Sequence, residues 1–310
     1  MGAYTIHLFR EFAATCGDRT IDSLGSKKAC ELLCYLLINR GRPFSRERLA
    51  GLLWPDSEET QAKQYLRQTL WQLQSTLDEA SDAHDCLLSV DAEWISIDLS
   101  EQVWLDVGQF EQAYKETQGG NGRLPDTQQV AQLETAVALY RGDLLENWYQ
   151  DWCVFERERL QNMYLSMLDK LAGYHEATLN IQAGLDCATT LLRLDIAHER
   201  TYRRLMRLYY YAGDRSSALR QYQRCERVLE QELGVTPSQQ TLQLLEQIKR
   251  DELPVTAPTI VDLALPDRAA ANAMLAGLSK LNEQLFQSQC HLAQEIDAMR
   301  AAMADLLQTQ

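Results

Sequence analysis

The chain has 310 residues, more than one hydrophobic core usually serves, so two or three modules are expected. Hydrophobic residues make up 45% and charged residues 24%, which excludes disordered and fibrous classes. The formal net charge of −14 excludes nucleic-acid binding by an evenly charged surface, because phosphate contacts need local positive potential.

The opening YTIHLF alternates, and EFAATCGDRTID reads as further short strands around a turn at Gly17-Asp18, so a small sheet comes first. A helix from about Lys27 to Asn39 follows, with Ala29, Leu32, Leu33, Leu36 and Leu37 on its apolar face; it stops where Gly41 and Pro43 collect. Ser45 is the expected N-cap of a second helix, SRERLAGLLW, which buries Leu49, Leu52 and Leu53 and ends at Pro55. The third helix begins after Ser57 and runs to about Glu79, with Ala62, Leu66, Leu70, Leu73 and Leu77 as its apolar stripe. Gln61, Gln64, Gln68, Trp71 and Ser75 point away from that stripe, with Arg67 on the flank. CLLSV and EWISID then flank Asp91-Ala92 as a hairpin.

The third helix sits in a locally basic window. From Lys27 to Arg67 the basic residues are Lys27, Lys28, Arg40, Arg42, Arg46, Arg48, Lys63 and Arg67, against Glu31, Glu47, Asp56, Glu58 and Glu59. A glutamine amide pairs with adenine and a guanidinium with guanine O6 and N7, so Gln64, Arg67, Gln68 and Trp71 are the expected base readers in a major groove. The competing reading is an ordinary solvent-facing helix side. Trp71 has two uses: its ring can touch a thymine methyl or a sugar, or pack against the hairpin. Arg42, Arg46, Arg48 and Lys63 are placed to meet phosphates, and Lys27 and Lys28 lie on the same stretch.

Sheet, three helices and hairpin, in that order, predict a winged helix-turn-helix. The phrases ACELLCYLLINRGRPFSRERLAGLLWPD, AKQYLRQTLWQLQSTL, VWLDVGQFEQA and, most distinctively, ALYRGDLLENWYQDWCVFERERL resemble SARP-family regulators. The last of them is similar to the bacterial transcriptional activator domain. The resemblance implies a sequence-specific regulator, an activator that binds double-stranded promoter DNA and touches RNA polymerase, and no enzyme. Gln72 and Gln74 stand where such regulators often carry arginine, a departure that predicts weak nonspecific DNA affinity.

Residues 105–250 are helical by periodicity. Ala183, Cys187 and Thr190 recur thirty-five positions later as Ala218, Tyr222 and Cys225, close to the tetratricopeptide period of about 34 residues. Pro254, Pro258 and Pro266 mark a linker over 251–268. Residues 269–310 carry a heptad pattern in which Leu278, Asn282, Leu285, Leu292, Ile296 and Met299 form a coiled-coil seam for a homodimer; capping of the repeat domain is the alternative. The fold class is therefore mainly α: a winged helix-turn-helix over 1–104 with small β-sheets, an all-α tetratricopeptide-like domain, and a C-terminal coiled-coil candidate.

The eight cysteines form no C-x-x-C pair and no His lies at zinc-like spacing, so buried reduced thiols and no metal are expected. No phosphate-loop, nucleophile-elbow or H-E-x-x-H phrase occurs, and no cofactor is implied. MGAYTIHLFREF lacks signal-peptide order and no run of about 18 apolar residues predicts a membrane span, so a cytoplasmic protein is expected. Two other functions stay open: an adaptor whose winged helix has lost DNA binding, for which acidity argues, and a sensor holding a small effector among the aromatic and arginine residues between Tyr202 and Tyr222.

Overall fold

A computed structural model describes residues 4–17, 19–21, 24–80, 87–97, 103–118 and 124–253. The seam residues Leu278 to Met299 and most of the linker lie outside the described residues.

Strands β1 (Tyr4–His7), β2 (Ala13–Cys16) and β3 (Arg19–Thr20) form the first sheet, followed by α1 (Lys27–Ile38), β4 (Phe44–Ser45), α2 (Arg46–Leu53) and α3 (Glu59–Ala80). Ser26 and Ser45 cap α1 and α2, each accepting the backbone N–H three residues on. Strands β5 (Leu88–Val90) and β6 (Trp94–Ile97) make the wing, and β4 pairs with β6 to complete a three-stranded sheet. The wing turn is Asp91-Ala92-Glu93, closed by the Asp91 N–H donating to the Trp94 carbonyl at 2.8 Å.

The first sheet has order β3-β2-β1-β7, and its last strand comes from far along the chain: β7 (Val103–Leu105) runs parallel to β1, with Ile6 opposite Leu105. Asp106, the first residue of α4 (Asp106–Thr117), is almost fully buried there. Its carboxylate accepts the backbone N–H groups of Leu8 at 2.9 Å, Phe9 at 3.0 Å and Val107 at 2.6 Å. Burial pushes this carboxyl above its ordinary pKa, and the three N–H bonds offset part of that rise. Residues just after β1 also bond to the loop after α5 (Thr127–Leu139): Leu145 N–H donates to the Leu8 carbonyl at 3.0 Å and Arg10 N–H to that of Asp143 at 2.7 Å.

Two more charged side chains close this seam. Buried Glu111 on α4 pairs with Arg40, just past α1, and with Arg159 on α6 (Asp151–Ala177). Arg157 donates to the carbonyls of Leu144, Leu145 and Trp148 at 2.7 to 3.0 Å, tying the loop before α6 to that helix. One hydrophobic core accordingly runs from Tyr4 through α6 to Leu191.

Beyond it, α7 (Ile181–Leu194), α8 (Glu199–Tyr211), α9 (Arg215–Leu233) and α10 (Gln239–Arg250) hold two smaller clusters, one around Tyr202 and Cys225 and one around Met206 and Ile248. The turn before α7 and the turn before α9 have the same construction. Leu179 (φ 55) and Gly213 (φ 77) sit in the left-handed region, and the next residue donates back five positions, Asn180 to His175 and Asp214 to Tyr209, both at 2.9 Å. These turns are 34 residues apart, one fewer than the sequence spacing of thirty-five. Gly184, Ala188 and Leu191, all buried, are therefore the equivalents of Ala218, Tyr222 and Cys225, and Ala183, Cys187 and Thr190 are each one position off.

The residues that hinted at an effector are occupied. Tyr202 is fully buried. Arg204 donates to Asp169 at 2.6 Å and Glu176 at 2.9 Å, Arg207 to Glu176, and Arg203 to Thr241 at 3.1 Å. Among the described cysteines Cys16, Cys34, Cys153 and Cys225 are buried, Cys30 and Cys187 half-buried, and all are free thiols. No helix among the described residues is long and apolar enough to cross a membrane.

Candidate nucleic-acid interface

Helix α3 buries Ala62, Leu66, Leu70, Leu73 and Leu77, and a 3.6-residue period then turns the opposite side to solvent. Gln64, Arg67 and Gln68 are exposed on it, and Trp71 is 68% exposed. Its ring is therefore not packed against the wing. Gln61 is exposed too and donates to the Tyr65 hydroxyl at 2.7 Å, while Ser75 is half-buried. Gln72 is half-buried beside Gly25 and lines a shallow concavity with Gln68, Tyr65 and Trp54.

A groove of about 500 Å³ lies between α3 and the wing, lined by Arg46, Glu47, Lys63, Arg67, Glu93 and Trp94 among others. Trp94 is 49% exposed, and the sequence reading passed over it. Its signal was the alternation of the strand: with Ile95 and Ile97 buried, Trp94 and Ser96 must face the other way.

The four expected phosphate contacts differ in how free they are. Arg42 is exposed beside Gly41 (φ 77). Arg48 is exposed with its guanidinium 5.3 Å from the Phe44 ring centre. Arg46 is half-buried and donates through Nε to the Asp91 carbonyl at 3.1 Å, so it also fixes the wing turn. Lys63 is paired on two sides, donating to Glu47 at 2.8 Å and to Glu59 at 2.6 Å; these bonds hold its ammonium above the ordinary lysine pKa. Lys28 pairs with Glu31 at 2.9 Å and lies 6.0 Å from the Trp54 ring centre, and Lys27 is exposed. The groove thus gathers Arg67, Lys63 and Arg46, while Gln64, Gln68, Trp71, Arg42, Arg48 and the two lysines of α1 lie outside its lining, Gln68 and Lys28 bordering a second, shallower concavity.

Comparison with known proteins adds two findings. Residues 105–249 match the family of the bacterial transcriptional activator domain. A solved structure of Mycobacterium tuberculosis EmbR in complex with a low affinity phosphopeptide is similar in fold, with a TM-score of 0.63 and 19% identity over 92% of this chain and 72% of that one. Residues 105–249 are a bacterial transcriptional activator domain. No curated protein matches the chain. The match to the activator domain begins at Leu105, the last residue of β7, so the first residues of that domain are also those that complete the N-terminal sheet. VWLD carried that double role in the sequence, but the parallel pairing of β7 with β1 spans about a hundred residues and leaves no local signal.

Proposed function

We propose that the chain binds double-stranded promoter DNA with α3 in the major groove and the wing beside the phosphate backbone, and that it activates transcription by recruiting RNA polymerase. One observation carries the reading: Gln64, Arg67, Gln68 and Trp71 are exposed together on one side of α3, and Arg67 also lines the groove that holds Arg46 and Lys63. Gln and Arg supply bidentate readout of adenine and guanine edges. Arg46 supplies charge for phosphates, with Arg42 and Arg48 further out. The heptad pattern of 269–310 supports binding as a homodimer, in which docking of one copy raises the effective concentration of the other.

The test is fluorescence anisotropy with the full chain and a duplex from its own upstream region, against a scrambled duplex, in low salt. Preferential binding of the upstream duplex is expected, and its loss in a Gln64→Ala/Arg67→Ala/Gln68→Ala variant that folds normally. A flat result on both duplexes overturns the reading in favour of a protein-binding adaptor, which the carboxylates Glu47 and Glu93 in the same groove favour.

A further inference from the structure

The groove between α3 and the wing is not a basic one. Arg46, Lys63 and Arg67 line it together with Glu47 and Glu93, and Glu59 reaches Lys63 from the first turn of α3. The two carboxylates on Lys63 come from different helices, Glu47 from α2 and Glu59 from α3, and both are largely exposed, at 70% and 75% of their side-chain surface. Exposed ion pairs add little to stability, so this arrangement does not hold α2 to α3. What it does is change the charge that an incoming phosphate meets.

An isolated lysine offers a phosphate one positive charge. Lys63 with two carboxylates offers a site of net charge −1, and two of its three N–H donors are already taken. Any phosphate oxygen that touched Lys63 would also lie within roughly one Debye length, about 8 Å, of both carboxylates, so physiological salt would not screen the repulsion. Nonspecific DNA binding comes almost wholly from phosphate neutralisation, whereas base reading draws on side chains further along α3. A device that withholds one lysine from phosphates therefore lowers nonspecific affinity and leaves the reading edge intact.

We infer that Glu47 and Glu59 form an electrostatic gate on Lys63 that withholds its charge from DNA phosphates and so lowers the sequence-independent part of DNA affinity. The inference rests on the DNA-binding reading above. The gate acts on any duplex, whatever its sequence, and it is local to Lys63.

The experiment is salt-dependent anisotropy of the full chain on a random-sequence duplex. E47Q/E59Q is expected to bind about threefold to tenfold more tightly at low salt, with a slope of log affinity against log salt steeper by about 0.9, the release of one further counterion. Adding Lys63→Ala to E47Q/E59Q should return both quantities to the wild-type values. D56N/E58Q changes the net charge by the same amount without touching Lys63 and should gain less than about twofold, since its carboxylates make no pair with that cation. An equal gain in D56N/E58Q, a gain that survives Lys63→Ala, or an unchanged slope in E47Q/E59Q overturns the gate. If the wild-type chain binds DNA and E47Q/E59Q binds no better, the gate alone fails. If neither binds any duplex, the DNA-binding reading fails with it.

Discussion

Two regions of this molecule are rich in polar and charged side chains, and they use them in opposite ways. At the seam where β7 and α4 meet the first sheet, Asp106, Glu111 and Arg157 are enclosed and their hydrogen bonds are made to named partners inside the protein. Along α3, Gln64, Arg67, Gln68 and Trp71 are turned outward. A buried polar group must be paired or it destabilises the fold, so the seam residues are committed to structure. An exposed group at the edge of a groove carries no such debt to the core and is available to a partner. The contrast separates residues that hold the fold together from those left free for a partner.

The contrast breaks most sharply at Asp106. Asp106→Ala leaves the N–H groups of Leu8 and Phe9 buried without an acceptor and should destabilise the chain by about 3 kcal/mol or more. Urea denaturation measures it, and a loss under about 1 kcal/mol would mean that the seam is not what joins the two parts. Arg67→Ala tests the other region and should leave the urea midpoint in place. It is expected to weaken specific DNA binding by about 1–3 kcal/mol and nonspecific binding little. Equal losses on the two duplexes would reassign Arg67 to a phosphate.

Arg46 lies between these extremes, because it lines the groove and also ties the wing turn through the Asp91 carbonyl. Arg46→Ala should weaken binding uniformly across sequences and make the salt slope shallower by about one. A slope that does not move removes Arg46 from the interface and leaves it only its structural bond to the wing.

The parts of this architecture that follow from local pattern were legible in the sequence. The stripe Ala62, Leu66, Leu70, Leu73 and Leu77 set the buried side of α3, and its exposed face followed by subtraction. Ser45 announced the start of α2 because a cap is a property of three or four adjacent residues. The parts that depend on distant residues were not legible. Nothing near Asp106 says that its carboxylate will meet Leu8 and Phe9, and nothing near Glu111 names Arg40 and Arg159. The pairing of Lys63 with Glu59 is an ordinary i,i+4 contact that a helical reading can find, but Glu47 reaches it from another helix. The repeat spacing failed by one residue because it was matched on side chains, some of which point outward. The turns that fix it are defined by backbone conformation.

Those turns allow the smallest effect to be argued in full. Leu179 and Gly213 occupy equivalent left-handed positions 34 residues apart, yet one is leucine and the other glycine. An L-residue with a side chain is strained there by roughly 1–2 kcal/mol, and only glycine escapes the clash of Cβ with the neighbouring carbonyl. Leu179→Gly should relieve that strain, while the greater freedom of glycine in the unfolded chain returns about 0.4–1 kcal/mol of it. Leu179 is 36% exposed, so its side chain also has some packing to lose. The net expectation is a small stabilisation, about 0.5 kcal/mol, read as a slightly higher urea midpoint with an unchanged slope. At the other turn no heavy atom lies within 4 Å of where a Cβ would stand on Gly213, so Gly213→Ala isolates the backbone term and should destabilise by about 1 kcal/mol. If Leu179→Gly instead destabilises as much as Gly213→Ala, the contacts of the leucine outweigh its strain, and the two turns share a backbone shape but not the same source of stability.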